Sequence, residues 1–299
     1  LLGEIKLFTF NFPLLVLDTH FTELEAGSSE LKLNLKELQP DLKGILIRSQ
    51  PVQERLERIS VLEDWIRYVP AQYQRFHVDL QGSFSDYLKK FSPKSRSTLR
   101  RKVRRFIRFS QGRLDWQEFK KFEDMDEFYR LAREISKTTY QERLLDVGLP
   151  DDEDFRQQLN ALARRDLIRG YILFHDGTPI AYLFCTVREG GILLYRYLGF
   201  DPQYQVWSPG TVLHYLVLEK LFNEGDLRML DFTEGEGPQK RFFSTGSTRC
   251  ADVFYFRRTG LNYFILYLHT AADLLSASIV RFLTWLGLKG PVKRLFRTS

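Results

Sequence analysis

The sequence predicts a mixed α/β (α+β) fold, a sheet of antiparallel and parallel strands flanked by helices, and three observations carry the prediction. Apolar runs over residues 169–175, 180–188 and 192–200 are separated by Asp176-Gly177 and Gly190-Gly191, dipeptides suited to tight hairpins because both residues tolerate a positive φ. A helical pattern then opens at Ser208-Pro209-Gly210, places Val212, Leu213, Leu216, Val217, Leu221 and Phe222 at helical spacing, and stops at Gly225. The strand that follows, 228–232, returns after a helix and so lies parallel to 192–200 by a right-handed crossover.

The remaining elements follow in chain order. Residues 5–10, 14–18 and 44–49 read as strands, 53–59 as a short helix and 73–80 as another strand. Gln81-Gly82-Ser83 breaks the chain before a short helix that runs to Lys90. Ser92 then caps a long helix with Pro93 in its first position, and Leu99, Val103, Phe106 and Ser110 form its inward stripe. A strand over 115–119 and helices over 125–137 and 152–165 complete the run into the meander, with a polar loop at 138–150 that has the character of a functional segment. The last strand is 250–257. Residues 261–286 are an apolar stretch with a basic end, read either as helices completing the core or as an interfacial anchor.

At 299 residues, with 43% hydrophobic and 14% aromatic residues, the chain has far too much apolar surface to stay disordered in water. Its length favours two linked lobes. We divide it linearly into a partial N-terminal lobe (1–83), a basic linking segment (84–110), a main domain (111–258) and a C-terminal amphipathic helical appendage (259–299). It begins on Leu rather than Met, which reads as a trimmed start.

The net charge of +6 is local in origin. Lys94, Arg96, Arg100, Arg101, Lys102, Arg104, Arg105 and Arg108 fall on one helix with no acid among them, and five more basic residues follow Asp273 without an acid. Such segments meet phosphates, whether of a cofactor, an anionic lipid surface or a nucleic acid. Cys185 and Cys250 stand apart in apolar runs, and the five histidines lack ligand spacing, so no disulfide framework and no metal is expected and a reducing cytoplasm fits. His269, Asp273 and Arg281 interrupt the C-terminal stretch before it reaches the roughly 18 uncharged residues of a spanning helix.

A strand that hands over to a helix beside a parallel strand can bind a pyrophosphate at the helix start, where N–H groups and the positive dipole end face outward. Ser208, Pro209, Gly210 and Thr211 form that start, with Gly210 admitting a phosphate close to the backbone and the Ser208 hydroxyl as a further donor. Ser-Pro at a helix start is equally a plain cap.

Several motifs together resemble a known group. Tyr197-Leu198-Gly199-Phe200-Asp201-Pro202, Ser208-Pro209-Gly210, Asp231-Phe232 with Glu234-Gly235 and Lys240, the hairpin Asp176-Gly177-Thr178-Pro179-Ile180-Ala181 and the basic helix around Arg100-Arg101 resemble the GNAT-type domain of CelD-like cellulose-biosynthesis proteins, related to FemAB-like transferases. The resemblance spans about residues 84–258. It implies a GNAT-like architecture, with the N-terminal lobe an incomplete relative of the main one. It also implies acetyl-CoA or another acyl-CoA as co-substrate, with the thioester between strands 192–200 and 228–232. The acceptor it implies is an amine or hydroxyl of a sugar, polysaccharide or cell-envelope precursor.

On that reading Glu234, past a strand's C-terminal end, is a general base if partly shielded, or a solvated loop acid. Tyr197 is a proton donor or a core residue. The resemblance places Lys240 toward donor or acceptor phosphates, with Arg241 in support, although Gln239 stands where relatives carry an aromatic. Asp231 binds substrate or ties loop N–H groups, and Arg100 and Arg104 face an anionic substrate. Two alternatives stay open: a FemAB-like transferase that takes its donor from aminoacyl-tRNA, and a non-catalytic binding protein of polysaccharide machinery at the inner face of the membrane.

Overall fold

The computed structural model describes residues 13–17, 20–22, 42–139 and 148–285, so the strand expected over 5–10 and most of the 138–150 loop lie outside the described residues. The chain divides into two compact units, residues 1–74 with 248–299, and residues 75–247. The linear division drawn from sequence could not show this, because the last strand returns to the first unit and the basic helix belongs to the second.

In the first unit the strands are β1 (Leu15–Leu17), β2 (Gly44–Pro51), β3 (Ile59–Leu62) and β4 (Trp65–Tyr68). They are joined by most of β11 (Gly246–Arg257), which pairs antiparallel with both β2 and β4. Ile45, Ile47, Trp65, Val253 and Tyr255 form its core. The helix expected over 53–59 is absent. The Gln72 side chain accepts from the Leu56 N–H (2.9 Å) and donates to the Leu56 carbonyl (2.8 Å), satisfying in an open loop the groups a helix would have paired. Residue 59 instead begins the hairpin β3–β4, turned at Glu63 with φ 51°. The C-terminal stretch is one helix, α7 (Gly260–Trp285), held through Leu266 against Ile66, Tyr68 and Phe256 and by a 2.6 Å bond between Tyr68 Oη and His269 Nδ1.

The second unit has the strand order β5 (Gln72–Asp79), β10 (Met229–Asp231), β9 (Ile192–Phe200), β8 (Thr178–Arg188), β7 (Ile168–His175), β6 (Trp116–Phe119). All neighbours are antiparallel except β9 and β10, which run parallel as the crossover argument requires. The β7–β8 hairpin turns on Asp176 and Gly177, both at positive φ, and the β8–β9 connection uses Glu189 besides the two glycines. One face of the sheet carries α1 (Phe84–Lys89), α2 (Pro93–Phe109), α5 (Pro209–Glu224) and α6 (Pro238–Phe243) over a core that includes Leu99, Phe106, Leu183, Leu193, Val217 and Phe243. The other carries α3 (Met125–Ser136) and α4 (Glu153–Ala163) over Phe128, Ile172, Tyr182 and Phe184. Gly170 allows the close approach of α3, since a Cβ there would lie 2.6 Å from the Phe128 ring.

Ser92 caps α2 as its sequence implies, its hydroxyl accepting from the Ser95 N–H. The short helix α6 has no clear signature in the sequence. It is held from outside itself by Lys90, whose ammonium donates to the carbonyls of Phe242, Phe243 (2.6 Å) and Ser244, and whose pKa burial pushes down to about 8.

Candidate functional site

The parallel pair β9 and β10 parts at its C-terminal end. Their register runs from Met229 opposite Ile192 to Asp231 opposite Leu194, and there it stops. Phe232 turns to β5, donating its N–H to the Phe76 carbonyl (3.0 Å), while β9 continues to Phe200 along β8. The backbone edge of β9 beyond Tyr195 is thus left without a strand partner on the β10 side, an opening of the kind an extended ligand can enter.

Two features fix this opening. The Asp231 carboxylate, with no exposed surface, accepts from Arg75 Nε (2.8 Å) and lies 2.6 Å from Arg75 Nη2, and it also accepts from the Thr233 N–H (2.8 Å). Thr233 is thereby held at φ 59°, and its hydroxyl lies within hydrogen-bond distance of two carbonyls, those of Phe232 (2.7 Å) and, on β9, Tyr195 (3.1 Å). The second feature is a bulge. Register shifts between Phe184–Tyr197 and Cys185–Tyr195, so Arg196 is the extra residue of β9. Strict alternation from Leu193 and Tyr195 would put Tyr197 on the α5 face; the bulge moves it to the α3–α4 face, against Phe155 and Phe184.

At the far end of β9 the chain makes a 3-10 turn (Pro202–Trp207) and enters α5. Ser208 is left-handed (φ 56°, ψ 47°) and its side chain makes no capping bond. A non-glycine residue pays for that conformation about 1–3 kcal/mol, and Ser208 at the start of α5 and Thr233 beyond β10 both carry it. The first turn is tight: the N–H groups of Thr211 and Val212 both donate to the Ser208 carbonyl (3.0 and 3.1 Å). Pro209 has none, and the Gly210 N–H does not share in these two bonds. Gly210 is buried, and a Cβ there would lie 3.3 Å from Phe200 and 3.4 Å from Leu198, so its missing side chain serves the packing of α5 on β9.

Clefts lie on both faces of the sheet. On the α5 face a cleft of about 460 Å³ is lined by Lys94, Ser95, Thr98 and Lys102 of α2, Thr211 of α5, and Gln239 and Phe242 of α6. Its two ammonium groups sit beside the helix start, the chemistry that holds a phosphorylated ligand. On the opposite face a cleft of about 390 Å³ has Phe155, Phe184 and Tyr197 as its aromatic lining, with Gln158, Thr186 and Arg196 as polar groups. Arg196 Nε donates to Thr186 Oγ1 (3.0 Å), which orients its guanidinium.

The structure puts Ser208, Pro209, Gly210 and Thr211 at the start of α5, with Thr211 lining the first cleft, buries Asp231 on Arg75 at the end of β10, where it is a structural anchor and not a substrate contact, and puts Tyr197 in the second cleft. Glu234 is exposed on the loop beyond β10, not shielded, because Lys240 closes that loop through the Glu234 backbone carbonyl and leaves the side chain outside. Lys240 is bound into the loop by this contact, and its pKa is lowered by burial. Arg241 is exposed, 3.7 Å from Glu236. Arg100 and Arg104 lie on the outer face of α2, away from the cleft that Lys94 and Lys102 line. Arg196 and Arg75 are not marked by the sequence, and Lys94 and Lys102 stand there only as two of the eight basic residues of one helix; set eight residues apart on α2, they share one side of it. Among the described residues, no group of three or more His, Cys, Asp or Glu side chains is placed to hold a metal ion.

His214, one turn after Thr211, is fully buried and stacks on Phe243 (centroids 4.2 Å apart), with neither ring nitrogen hydrogen-bonded. Burial, reinforced by the nearby Lys90 charge, pushes its pKa down to about 3. Below the ordinary value of 6.5 the unfolded chain therefore takes up a proton that the folded chain refuses, and stability falls with pH between 6.5 and about 3. The expected slope is about 1.4 kcal/mol per pH unit once the window is entered. Urea unfolding at pH 7 and pH 5 should show this loss in the native chain and a smaller one in His214→Leu; equal losses would mean that this ring is not the group responsible.

With the geometry in place, the class is apparent: a mixed sheet whose parallel strands part beside a helix start, with clefts on both faces. Residues 93–241 match the family model of the acetyltransferase (GNAT) domain, and this part of the chain is a GNAT-type acetyltransferase domain. The chain is similar in fold to the C-terminal domain of a putative lysylphosphatidylglycerol synthetase from Agrobacterium fabrum, with a TM-score of 0.50 and 12% identity over 79% of this chain and 72% of that one. Similarity is also found to FemX (TM-score 0.49, 12% identity, 75% and 74% covered) and to L-PGS from Bacillus licheniformis (TM-score 0.44, 12% identity, 75% and 71% covered). No curated protein matches the chain in sequence.

Proposed function

We propose that the protein transfers an acyl group from acetyl-CoA or another acyl-CoA to an amine or hydroxyl of a sugar, polysaccharide or cell-envelope precursor. The observation that carries this reading is the parting of β9 and β10 after Leu194 and Asp231, next to the start of α5 and the cleft of Lys94 and Lys102. The donor's phosphates lie in that cleft, on the two ammonium groups, and its acyl arm enters the opening along the unpaired edge of β9. The acceptor approaches from the opposite face, through the cleft of Tyr197 and Arg196.

Attack by the acceptor nitrogen or oxygen on the thioester carbonyl, with the acceptor's proton passing to solvent water, forms a tetrahedral intermediate, whose oxyanion backbone N–H groups of the β9 edge stabilise. Collapse expels the CoA thiolate, which needs a proton. Tyr197 supplies it, a reading supported by its place in the lining of the acceptor cleft. Calorimetry with acetyl-CoA tests the donor, and absence of binding sinks the proposal. Tyr197→Phe should bind acetyl-CoA as the native chain does and turn over an accepted amine or hydroxyl about a hundredfold more slowly; undiminished turnover would remove Tyr197 from the reaction.

A further inference from the structure

We propose that the arginine face of α2 is a docking surface for the anionic headgroups of a membrane. Arg96, Arg100, Arg101, Arg104, Arg105 and Arg108 line one side of the helix and bound a shallow furrow of about 620 Å³. From residue 93 to residue 108 this side is about 23 Å long. The opposite side, Leu99, Val103 and Phe106, is buried in the core of its unit, so the helix cannot roll to hide its charge. None of the six arginines has an acidic partner among the described residues. Like charges at i and i+4 destabilise a helix. A row of them retained without counter-charges is a surface built for an external anion.

This face shares no residue with the donor cleft, whose α2 residues are Lys94, Ser95, Thr98, Leu99 and Lys102. It therefore goes beyond the acyl-transfer reading and can fail without it. A lipid surface suits it better than a nucleic acid. The row follows a single helix, contains no aromatic residue on which a base could stack, and the nearest indole is occupied: Trp207 stacks on Phe109 (4.2 Å) and lies under the Arg105 guanidinium (4.8 Å). Beside Trp207, Val206 is 61% exposed, an apolar group next to cations as at a membrane interface. The other unit gives an independent sign of the same partner. Its helix α7 exposes Leu261, Phe264, Leu268 and Leu275 at helical spacing, and the sequence after Asp273 carries Arg281, Lys289, Lys293, Arg294 and Arg297 with no acid. No helix among the described residues is long and apolar enough to cross a membrane.

Flotation of the full chain with vesicles tests the proposal. The chain should float with equal parts phosphatidylcholine and phosphatidylglycerol, far less with phosphatidylcholine alone, and progressively less as salt is raised. Each arginine near such a surface strengthens binding about fivefold, so Arg100→Gln, Arg101→Gln and Arg104→Gln combined should weaken the anionic-vesicle partition about a hundredfold. Its far-UV circular dichroism and melting should stay native, because all three side chains are exposed. Native-strength partition of that variant, or equal flotation with neutral vesicles, overturns the proposal. So does binding of duplex RNA with the same arginine dependence and no flotation, which would make the partner a nucleic acid.

Discussion

Asp231→Ala is expected to lower unfolding stability by about 3–5 kcal/mol, because it strips a buried guanidinium of its carboxylate. Arg75 has 9% of its side chain exposed and Asp231 none, so neither charge can turn to water when its partner is removed. The same substitution takes the acceptor from the Thr233 N–H, and with it the device that holds a β-branched residue at φ 59°. The effect should be more than thermodynamic. Thr233 relaxing from the left-handed region would draw its hydroxyl from the Tyr195 carbonyl, beside the point where β9 and β10 separate. A urea titration gives the stability, and Arg75→Met with Asp231→Leu, which removes both charges, should recover most of the loss. If Asp231→Ala costs less than about 1 kcal/mol, the pair behaves like a surface ion pair and does not organise the opening.

The parts of this site differ in how far they could be read from sequence, and the reason is range. The hairpin at Asp176-Gly177, the Ser92-Pro93 cap and the Gly225 stop are local events, decided by the φ each residue tolerates, and they stand where the residues put them. The parallel return of β10 was also legible, because handedness leaves one answer once a strand, a helix and a strand follow in order. What escaped depends on partners distant in the chain. Gln72 replaces helix bonds at Leu56 from 16 residues away, which no propensity at 53–59 reveals. Arg75 finds Asp231 across 156 residues.

Tyr197 shows the limit most clearly. A period of two assigns it to the α5 face, and one bulged residue, Arg196, reverses the assignment and places the ring in a different cleft. The glycine of Ser208-Pro209-Gly210 teaches a related lesson. Its position at a helix start suggests room for a phosphate, whereas Leu198 and Phe200 lie within 3.4 Å of where its Cβ would be. The positive charge toward the ligand comes instead from Lys94 and Lys102, hidden in sequence among six arginines that face elsewhere.

That separation of cations makes the sharpest functional test. Lys94→Glu with Lys102→Glu is expected to weaken acetyl-CoA binding a hundredfold or more. A charge-assisted hydrogen bond is worth about 1.5–3 kcal/mol, or about ten- to a hundredfold in affinity, and two are lost and replaced by repulsion. The phosphates are remote from the reacting carbonyl, so the interaction is the same in ground and transition states: KM for the donor should rise while kcat changes little. The native chain's affinity should fall with salt, and the variant's should depend on it less. Both lysines reach the cleft from a helix whose buried stripe is untouched, so melting should stay near native and separate a binding defect from a folding one. Arg100→Gln with Arg104→Gln supplies the contrast, since those side chains bound the outer furrow: donor affinity should hold. Retained affinity in the lysine variant together with lost affinity in the arginine variant would move the donor to the outer face of α2, and the opening between β9 and β10 would then need another occupant.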